Sequence, residues 1–468
     1  MSGGFMQTDF LSYIDLKSKL LTDTSDYVWD NPELAFTEFR SAAKLQEVLK
    51  DEGFLVENGL AGIETAFSGT FGHGRPVIGI LGEFDALSGL GQEPVQTEKK
   101  PNGQPCGHGC GHNLLGAASL GAAMALKHFL ETTGKEGTVI FFGCPGEEGG
   151  SGKAFMARDG VFDSLDAALT WHPADKNYVR NVTSTANYQI LYKFDGQAAH
   201  AAAHPHLGRS ALDAVELMNV GVNFLREHVD TSIRMHYSIT DAGGASPNVV
   251  QPHAEVLYLL RAPVNTMLPD LYDRVNDIAK GAALMTGTIE SHEFIKACSN
   301  TVLNDAIQQR LYECMKTIGV PDVTEQEIAY AKELTEKSLC GLPDADPCHP
   351  IHYELEEYIP HSVVQKFGST DVGDVSWVCP TGQIGTATEA FGTPAHSWQE
   401  CTQGKAPLAH KMMIYAAKVL ALCGSELFTD PKLLEDAKSE FRKAVGPEGY
   451  VCPIPKDVKP RSMSSFSK

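Results

Sequence analysis

Cys106-Gly107-His108-Gly109-Cys110-Gly111-His112-Asn113-Leu114-Leu115-Gly116-Ala117-Ala118 is the stretch that decides how this chain is built. Thiolate and imidazole suit a borderline-soft divalent metal. Only glycines separate them here, so the backbone is free to fold two Cys-Gly-His units toward one point. The small residues that follow read as a tightly packed helix, which puts the cluster on a loop at a helix start. Outward on either side, Val77-Ile78-Gly79-Ile80-Leu81 and Thr138-Val139-Ile140-Phe141-Phe142 are unbroken apolar runs. Such runs mark strands covered on both faces. Ala167-Ala168-Leu169-Thr170-Trp171 is a third. Strand, helix and strand in alternation predict an α/β catalytic domain with a mostly parallel sheet.

Further helices are predicted over 10–29, ended by Asn31-Pro32, and over 41–49, 113–130 and 153–158. Polar groups stand just past the predicted strands: Glu83 and Asp85, then Glu147 and Glu148, then His172. Open α/β sheets carry their sites at that edge. The pattern changes near residue 185. Strands at 188–194, 233–239, 255–260 and 288–294, with helices at 210–227 and 268–285, give the order βαββαβ of a ferredoxin-like α+β unit. The expected organisation is a catalytic domain in two parts, 1–185 and 301–468, with a second domain, 186–300, inserted between them. A closing helix is predicted over 405–422, and the Pro-, Lys- and Ser-rich tail from Gly446 as an extended wrap.

A length of 468 residues exceeds what a single core sustains, which agrees with two domains. The net charge of −21 argues against nucleic acid or an anionic membrane as partner. An acidic small molecule then needs a local cationic pocket. The first residues lack the basic and apolar regions of a secretory leader, and eleven Cys follow no framework spacing. Reduced thiols in the cytoplasm are expected.

Adjacent carboxylates among glycines, as in Gly146-Glu147-Glu148-Gly149-Gly150, point in different directions. One can bind metal while the other serves as general base, the division a metal hydrolase needs. Isolated, such a pair is usually a solvated turn; downstream of a Cys/His cluster it is not. Trp171-His172-Pro173 delivers an imidazole at a strand end. Alternation puts Glu83 and Asp85 on the same side of their strand, where one of the two carboxylates can orient a ligand imidazole through its second nitrogen. His396 is a late ligand candidate, competing by spacing with His361 and His410. In the inserted domain, His200 projects from an alanine-dense, His-rich loop that also holds His204 and His206. It suits a substrate contact better than a second metal site. Asn248 and Arg261 offer an amide and a permanent cation, a sensible clamp for a carboxylate.

Together these motifs resemble the M20 metallopeptidase and amidohydrolase family, in its Cys-Gly-His branch, which includes hydrolases of auxin–amino-acid conjugates and of N-acyl amino acids. The resemblance spans nearly the whole chain. It implies Cys110, His112, Glu148, His172 and His396 as ligands of one or two Zn²⁺ or Mn²⁺ ions, with the second Cys-Gly-His unit favoured over Cys106/His108. It implies Glu147 as general base, Asp85 as the orienting carboxylate, and His200 as a lid histidine reaching a partner subunit's site. Asn248 and Arg261 would hold the substrate carboxylate. Thiolate ligation argues for zinc, the family for manganese. The implied activity is hydrolysis of the amide bond of N-acyl or N-aroyl amino acids of the aminobenzoyl-glutamate kind, in a homodimer or a dimer with a related chain. A dipeptidase or aminoacylase, or a non-catalytic metal-binding subunit, is the alternative. Many family members carry Asp after the His of this motif, whereas this chain has neutral Asn113.

Overall fold

The computed structural model describes residues 3–360 and 367–461, with side chains from residue 10 onward. In chain order the principal elements are helices α1 (Gly3–Leu16), α2 (Ser18–Asp30) and α3 (Phe39–Asp51), then strands β1 (Leu55–Asn58), β2 (Phe67–His73) and β3 (Val77–Glu83). Next come α4 (His112–Thr133), β4 (Gly137–Cys144), α5 (Gly152–Arg158), β5 (Ala167–Ala174) and β6 (Tyr178–Val179). The middle holds β7 (Ala186–Asp195), α6 (Ala211–Leu225), β8 (Arg234–Asp241), β9 (His253–Ala262), α7 (Leu268–Thr286) and β10 (Ile289–Cys298). The chain ends with α8 (Asp305–Ile318), α9 (Glu325–Leu334), β11 (Thr381–Ala387), α10 (Trp398–Gln403), α11 (Pro407–Thr429) and α12 (Pro431–Val445).

Two compact units result. The first comprises 1–182, 302–364 and 375–450; the second comprises 183–301, 365–374 and 451–468. In the first, seven strands lie in the order β1-β2-β4-β3-β5-β11-β6. The four central strands are parallel and the edges antiparallel. From β3 the chain goes to one side for β4 and returns on the other for β5, so a switch point falls at β3. Strands β3 and β5 pair only over Ile78–Ile80 against Ala167–Leu169. Beyond that register β5 runs on beside β11 alone, to Ala387↔Ala174. That splay opens the crevice into which the loop before α4 enters. It also explains why Pro173 is tolerated within a strand, and why His172 lies inside β5 rather than after it.

Glycine and alanine on α4 let it pack closely on the sheet: Gly116 has no room for a Cβ, which would lie 2.8 Å from the Glu83 carbonyl oxygen. The helix is buried along most of its length. Two predicted boundaries differ. The first predicted helix is broken at Lys17, whose Nζ is drawn 2.6 Å from Glu52 Oε1 at the end of α3. The last predicted helix runs on to Thr429, and α12 follows, restarted by Pro431 with the Asp430 side chain capping Leu433. Helix α11 is long and apolar enough to cross a membrane, but 72% of that stretch is buried in the fold, as for a core helix.

The second unit is a four-stranded antiparallel sheet in the order β8-β9-β7-β10, with α6 and α7 against the face presented by Tyr188, Tyr192 and Tyr258. This is the predicted βαββαβ arrangement.

Candidate metal centre

Five segments of the first unit converge at the crevice. Donor atoms of Cys110, His112 and His172 lie within 4.8 Å of one another, as do those of Cys110, Glu148 and His396. Cys110 belongs to both sets, so two three-donor groups are hinged on one thiol. Cys110 Sγ is 3.5 Å from His172 Nε2, and His396 Nε2 is 3.2 Å from Glu148 Oε1. For tetrahedral zinc, bonds of ~2.3 Å to sulfur and ~2.0–2.1 Å to nitrogen or oxygen imply edges of about 3.5 and about 3.3 Å. The donor spacing therefore fits. His112 Nε2 faces Glu83 Oε2 and Glu148 Oε1 faces His396 Nε2, each at 3.2 Å without hydrogen-bond geometry, an arrangement of buried donor atoms that fits an ion among them.

Local backbone explains the placement. Gly111 adopts φ +67 immediately before α4 and Gly146 φ +67 before Glu147, so each ligand loop turns sharply off its strand or bend. His396 is itself left-handed, at φ +57. Its N–H donates to Gly109 O (3.0 Å) and Glu400 Oε2 (2.9 Å), which ties the last ligand loop to the first. Asp85 Oδ1 sits 2.9 Å from His112 Nδ1 while its Oδ2 accepts from the Glu148 N–H at 2.8 Å. One carboxylate thus orients two of the candidate donors and leaves Nε2 of the imidazole facing the crevice.

The electrostatics call for a cation. Burial, then the carboxylates of Glu148, Glu400 and Glu147, push the Cys110 thiol well up. Burial alone would discharge His112, yet Asp85, Glu83 and Glu148 hold its proton well above the usual range. Burial opposes the Glu148 charge as well, but His396 and His112 bring it down to about 2. Removing protons from thiol and imidazole here becomes favourable only when positive charge replaces them.

Residues 79–366 match the peptidase family M20/M25/M40. The chain is 45% identical to a p-aminobenzoyl-glutamate hydrolase subunit of Escherichia coli (strain K12), over 96% of this chain and 97% of that one. This chain belongs to peptidase family M20/M25/M40. It is a hydrolase of that family. The motifs at 107–116 and 368–377 resemble the E. coli protein in particular, and the comparison agrees. A mouse Xaa-Arg dipeptidase is 27% identical, covering 92% of this chain and 90% of its own. A Bacillus subtilis structure described as a dinuclear metal-binding peptidase of the M20 family shares the fold, with a TM-score of 0.52 at 18% identity, covering 88% of this chain and 99% of that one.

Other candidates lie outside the cluster. Cys106 donates to Pro32 O and His108 bonds Val28 O, both buried, so the first Cys-Gly-His unit anchors the loop to the end of α2. His410 pairs with Asp26. His361 lies outside the described residues. Asn113 is fully buried and its amide donates to Ser25 Oγ and Gly404 O, each at 3.0 Å; it is a structural tie between α2, α4 and the turn after α10.

In the second unit, the His200 and Asn248 loops are joined by Ala201 N–H to Asn248 O and Val250 N–H to Ala199 O. His200 Nδ1 accepts from the Ala202 and Ala203 N–H groups, so the neutral ring carries its proton on Nε2. Arg261 stands at the other end of the sheet, donating to Ser369 Oγ at 2.8 Å. The register from Asp195↔His253 to Asn187↔Arg261 covers about 26 Å of strand. One copy therefore does not bring Asn248 to Arg261 as a clamp. Beside Arg261, Asn187 is 1% exposed and both side-chain atoms lack partners among the described residues. Sequence reasoning missed it because an Asn at a strand start reads as a turn residue. Of the two carboxylates the sequence offered to an imidazole, Glu83 also meets His112, its Oε2 3.2 Å from Nε2; missed altogether was Lys153, the buried partner of Glu83.

Proposed function

We propose that the chain is a metal-dependent amidohydrolase that cleaves the amide bond of N-acyl or N-aroyl amino acids of the aminobenzoyl-glutamate kind. The observation that carries this is the pair of three-donor groups sharing Cys110, with Glu147 beside the ligand Glu148. Cys110, His112 and His172 would hold one divalent ion, and Cys110, Glu148 and His396 a second. Shared thiolate ligation supports Zn²⁺, with Mn²⁺ the other ion to test. A bound divalent ion supplies Lewis acidity, polarising water and the amide carbonyl. Glu147 takes the proton released by the attacking water and returns it to the departing amine nitrogen. Asp85 keeps His112 in the tautomer that offers Nε2. His200, with its proton on Nε2, donates to the carbonyl oxygen, and Arg261 with Asn248 holds the carboxylate of the amino acid.

The 26 Å of strand between the ends of the sheet supports a site completed by two chains, Arg261 coming from one and His200 with Asn248 from the other. The partner is a second copy or a related chain, as the naming of the E. coli relative as a subunit suggests. A thiolate ligand fits a reducing compartment, hence the cytoplasm. The unpartnered Asn187 beside Arg261 supports an anionic ligand at that end of the sheet.

The test is metal analysis of the purified chain with a panel of aroyl-glutamates, acyl-amino acids and dipeptides, alone and with candidate partners. Highest kcat/KM on aroyl- or acyl-amino acids is expected. A preference for dipeptides would favour the reading suggested by the mouse relative. Bound metal without turnover on any substrate would leave a non-catalytic subunit.

A further inference from the structure

Lys153 is fully buried, an unusual place for an ammonium group. Its Nζ lies 2.7 Å from Glu83 Oε1, and Glu83 is itself only 2% exposed. The backbone is shaped to put it there. Gly149 (φ +80) and Ser151 (φ +59) turn the chain after the Glu147-Glu148 pair, and Gly152 packs so tightly that a Cβ would lie 1.9 Å from Pro145 O. Helix α5 therefore starts directly against the ligand loop with its second residue aimed inward. The other oxygen of Glu83, Oε2, is 3.2 Å from His112 Nε2, the atom offered to a metal. Glu83, His112 and Glu147 also bring donor atoms within 4.8 Å of one another.

A buried ion pair is a poor way to stabilise a fold, because desolvation of both charges offsets most of their attraction. Its position explains it better. In the reading above, the carboxyl groups of Glu83, Asp85, Glu147 and Glu148 and the thiol of Cys110 gather in one crevice, with Glu400 at the His396 N–H. Lys153 is a cation that the protein itself delivers to that acidic surround.

We infer that Lys153 is a built-in counter-charge of the metal centre: it holds Glu83 in place beside His112, and so sets how tightly the Cys110/His112/His172 group binds its ion. Lys153 and Glu83 are positioning residues. The inference rests on His112 being a ligand.

The experiment measures zinc stoichiometry and affinity by chelator competition on the full chain, with the melting temperature of the metal-free form measured alongside. The variants are Lys153→Met, Lys153→Arg, Glu83→Gln and the double Lys153→Met/Glu83→Gln, with His112→Ala as control. Lys153→Met is expected to weaken one zinc ion at least tenfold, because the released Glu83 carboxylate, 3.2 Å from His112 Nε2, closes on that atom and competes with the ion, and Glu83→Gln to do so as well by leaving an uncancelled ammonium near the ions. The double variant, which removes both charges, should recover to within about threefold of the parent, and Lys153→Arg should stay near it. If Lys153→Met does not fold, comparing the double variant with Glu83→Gln still decides the matter: a double no tighter than the single overturns the inference. Zinc affinity unchanged in all folded variants, with only the metal-free melting temperature moving, would make the pair structural and also overturn it. If His112→Ala keeps both ions, the ligand assignment fails first; if it loses one while Lys153→Met loses none, only this inference fails.

Discussion

Replacing Asn113 by Asp should destabilise the chain without emptying its metal centre. The amide of Asn113 donates both its hydrogens, to Ser25 Oγ and to Gly404 O, and its Oδ1 is buried without a partner among the described residues. A carboxylate has no hydrogens to give. The Ser25 hydroxyl can rotate and donate, but the Gly404 carbonyl cannot, so a buried charge would face an acceptor at 3.0 Å. Leaving a charged group unsatisfied costs roughly 3 kcal/mol or more. Its place in the first turn of α4 recovers about 0.3–1 kcal/mol from the helix dipole. The net loss is about 2–3 kcal/mol, or an apparent melting temperature lower by roughly 4–6 °C at about 2 °C per kcal/mol for a unit of this size. Urea and thermal unfolding of Asn113→Asp, with metal content measured in parallel, read both halves. Unchanged stability, or loss of an ion from a well-folded variant, would refute the assignment of Asn113 as a tie facing away from the cluster.

Cys110→Ala should lose both ions while His172→Ala loses one, because only the thiol is shared; metal content per chain by elemental analysis distinguishes the two. Glu147→Gln should keep its metal and lose about 10²–10⁴ in kcat, the usual worth of a positioned base, so wild-type turnover would overturn its role. Arg261→Ala should raise KM about 10–100-fold for carboxylate-bearing substrates, the equivalent of a charge-assisted hydrogen bond worth ~1.5–3 kcal/mol, and steady-state kinetics on a substrate and its amide analogue check it. Asp166 links Arg75, the Val77 N–H and Lys438. Burial opposes its charge, but Lys438, Val77 and Arg75 hold the carboxyl below its ordinary range. A depressed carboxyl stabilises fully above its unfolded value near ~3.9 and loses this as pH falls through the folded one. Asp166→Asn should therefore lower the melting temperature at pH 7 and converge with the parent as pH falls through the depressed folded value.

The sheet was legible because strands covered on both faces are written as unbroken apolar runs, and Val77–Glu83, Gly137–Cys144 and Ala167–Ala174 all contain one. The candidate donors were legible as a set because thiol, imidazole and paired carboxylates at successive strand ends have few other reasons to recur, and the fold brings them within reach of one another. Lys153 was not, since a lysine after Gly150-Ser151-Gly152 looks like any exposed residue opening a helix. Its burial follows from positive-φ turns at Gly149 and Ser151 and from the closeness of Gly152 to Pro145, contacts that exist only once the sheet has set the two loops side by side. Glu83 shares that limit: alternation places it on the same side as Asp85, but which carboxylate meets which imidazole nitrogen depends on where α4 starts. The span separating Asn248 from Arg261 is a third case. Both residues suit a carboxylate, and only the register of β7 with β9 shows that they stand at opposite ends of one sheet. Residue chemistry thus picks out the groups a site is made from, whereas how those groups are set against one another follows from packing, which couples positions far apart in the polypeptide. That is why the counter-charge proposed at Lys153 comes from the structure, whereas the expectation of a second chain came first from the resemblance.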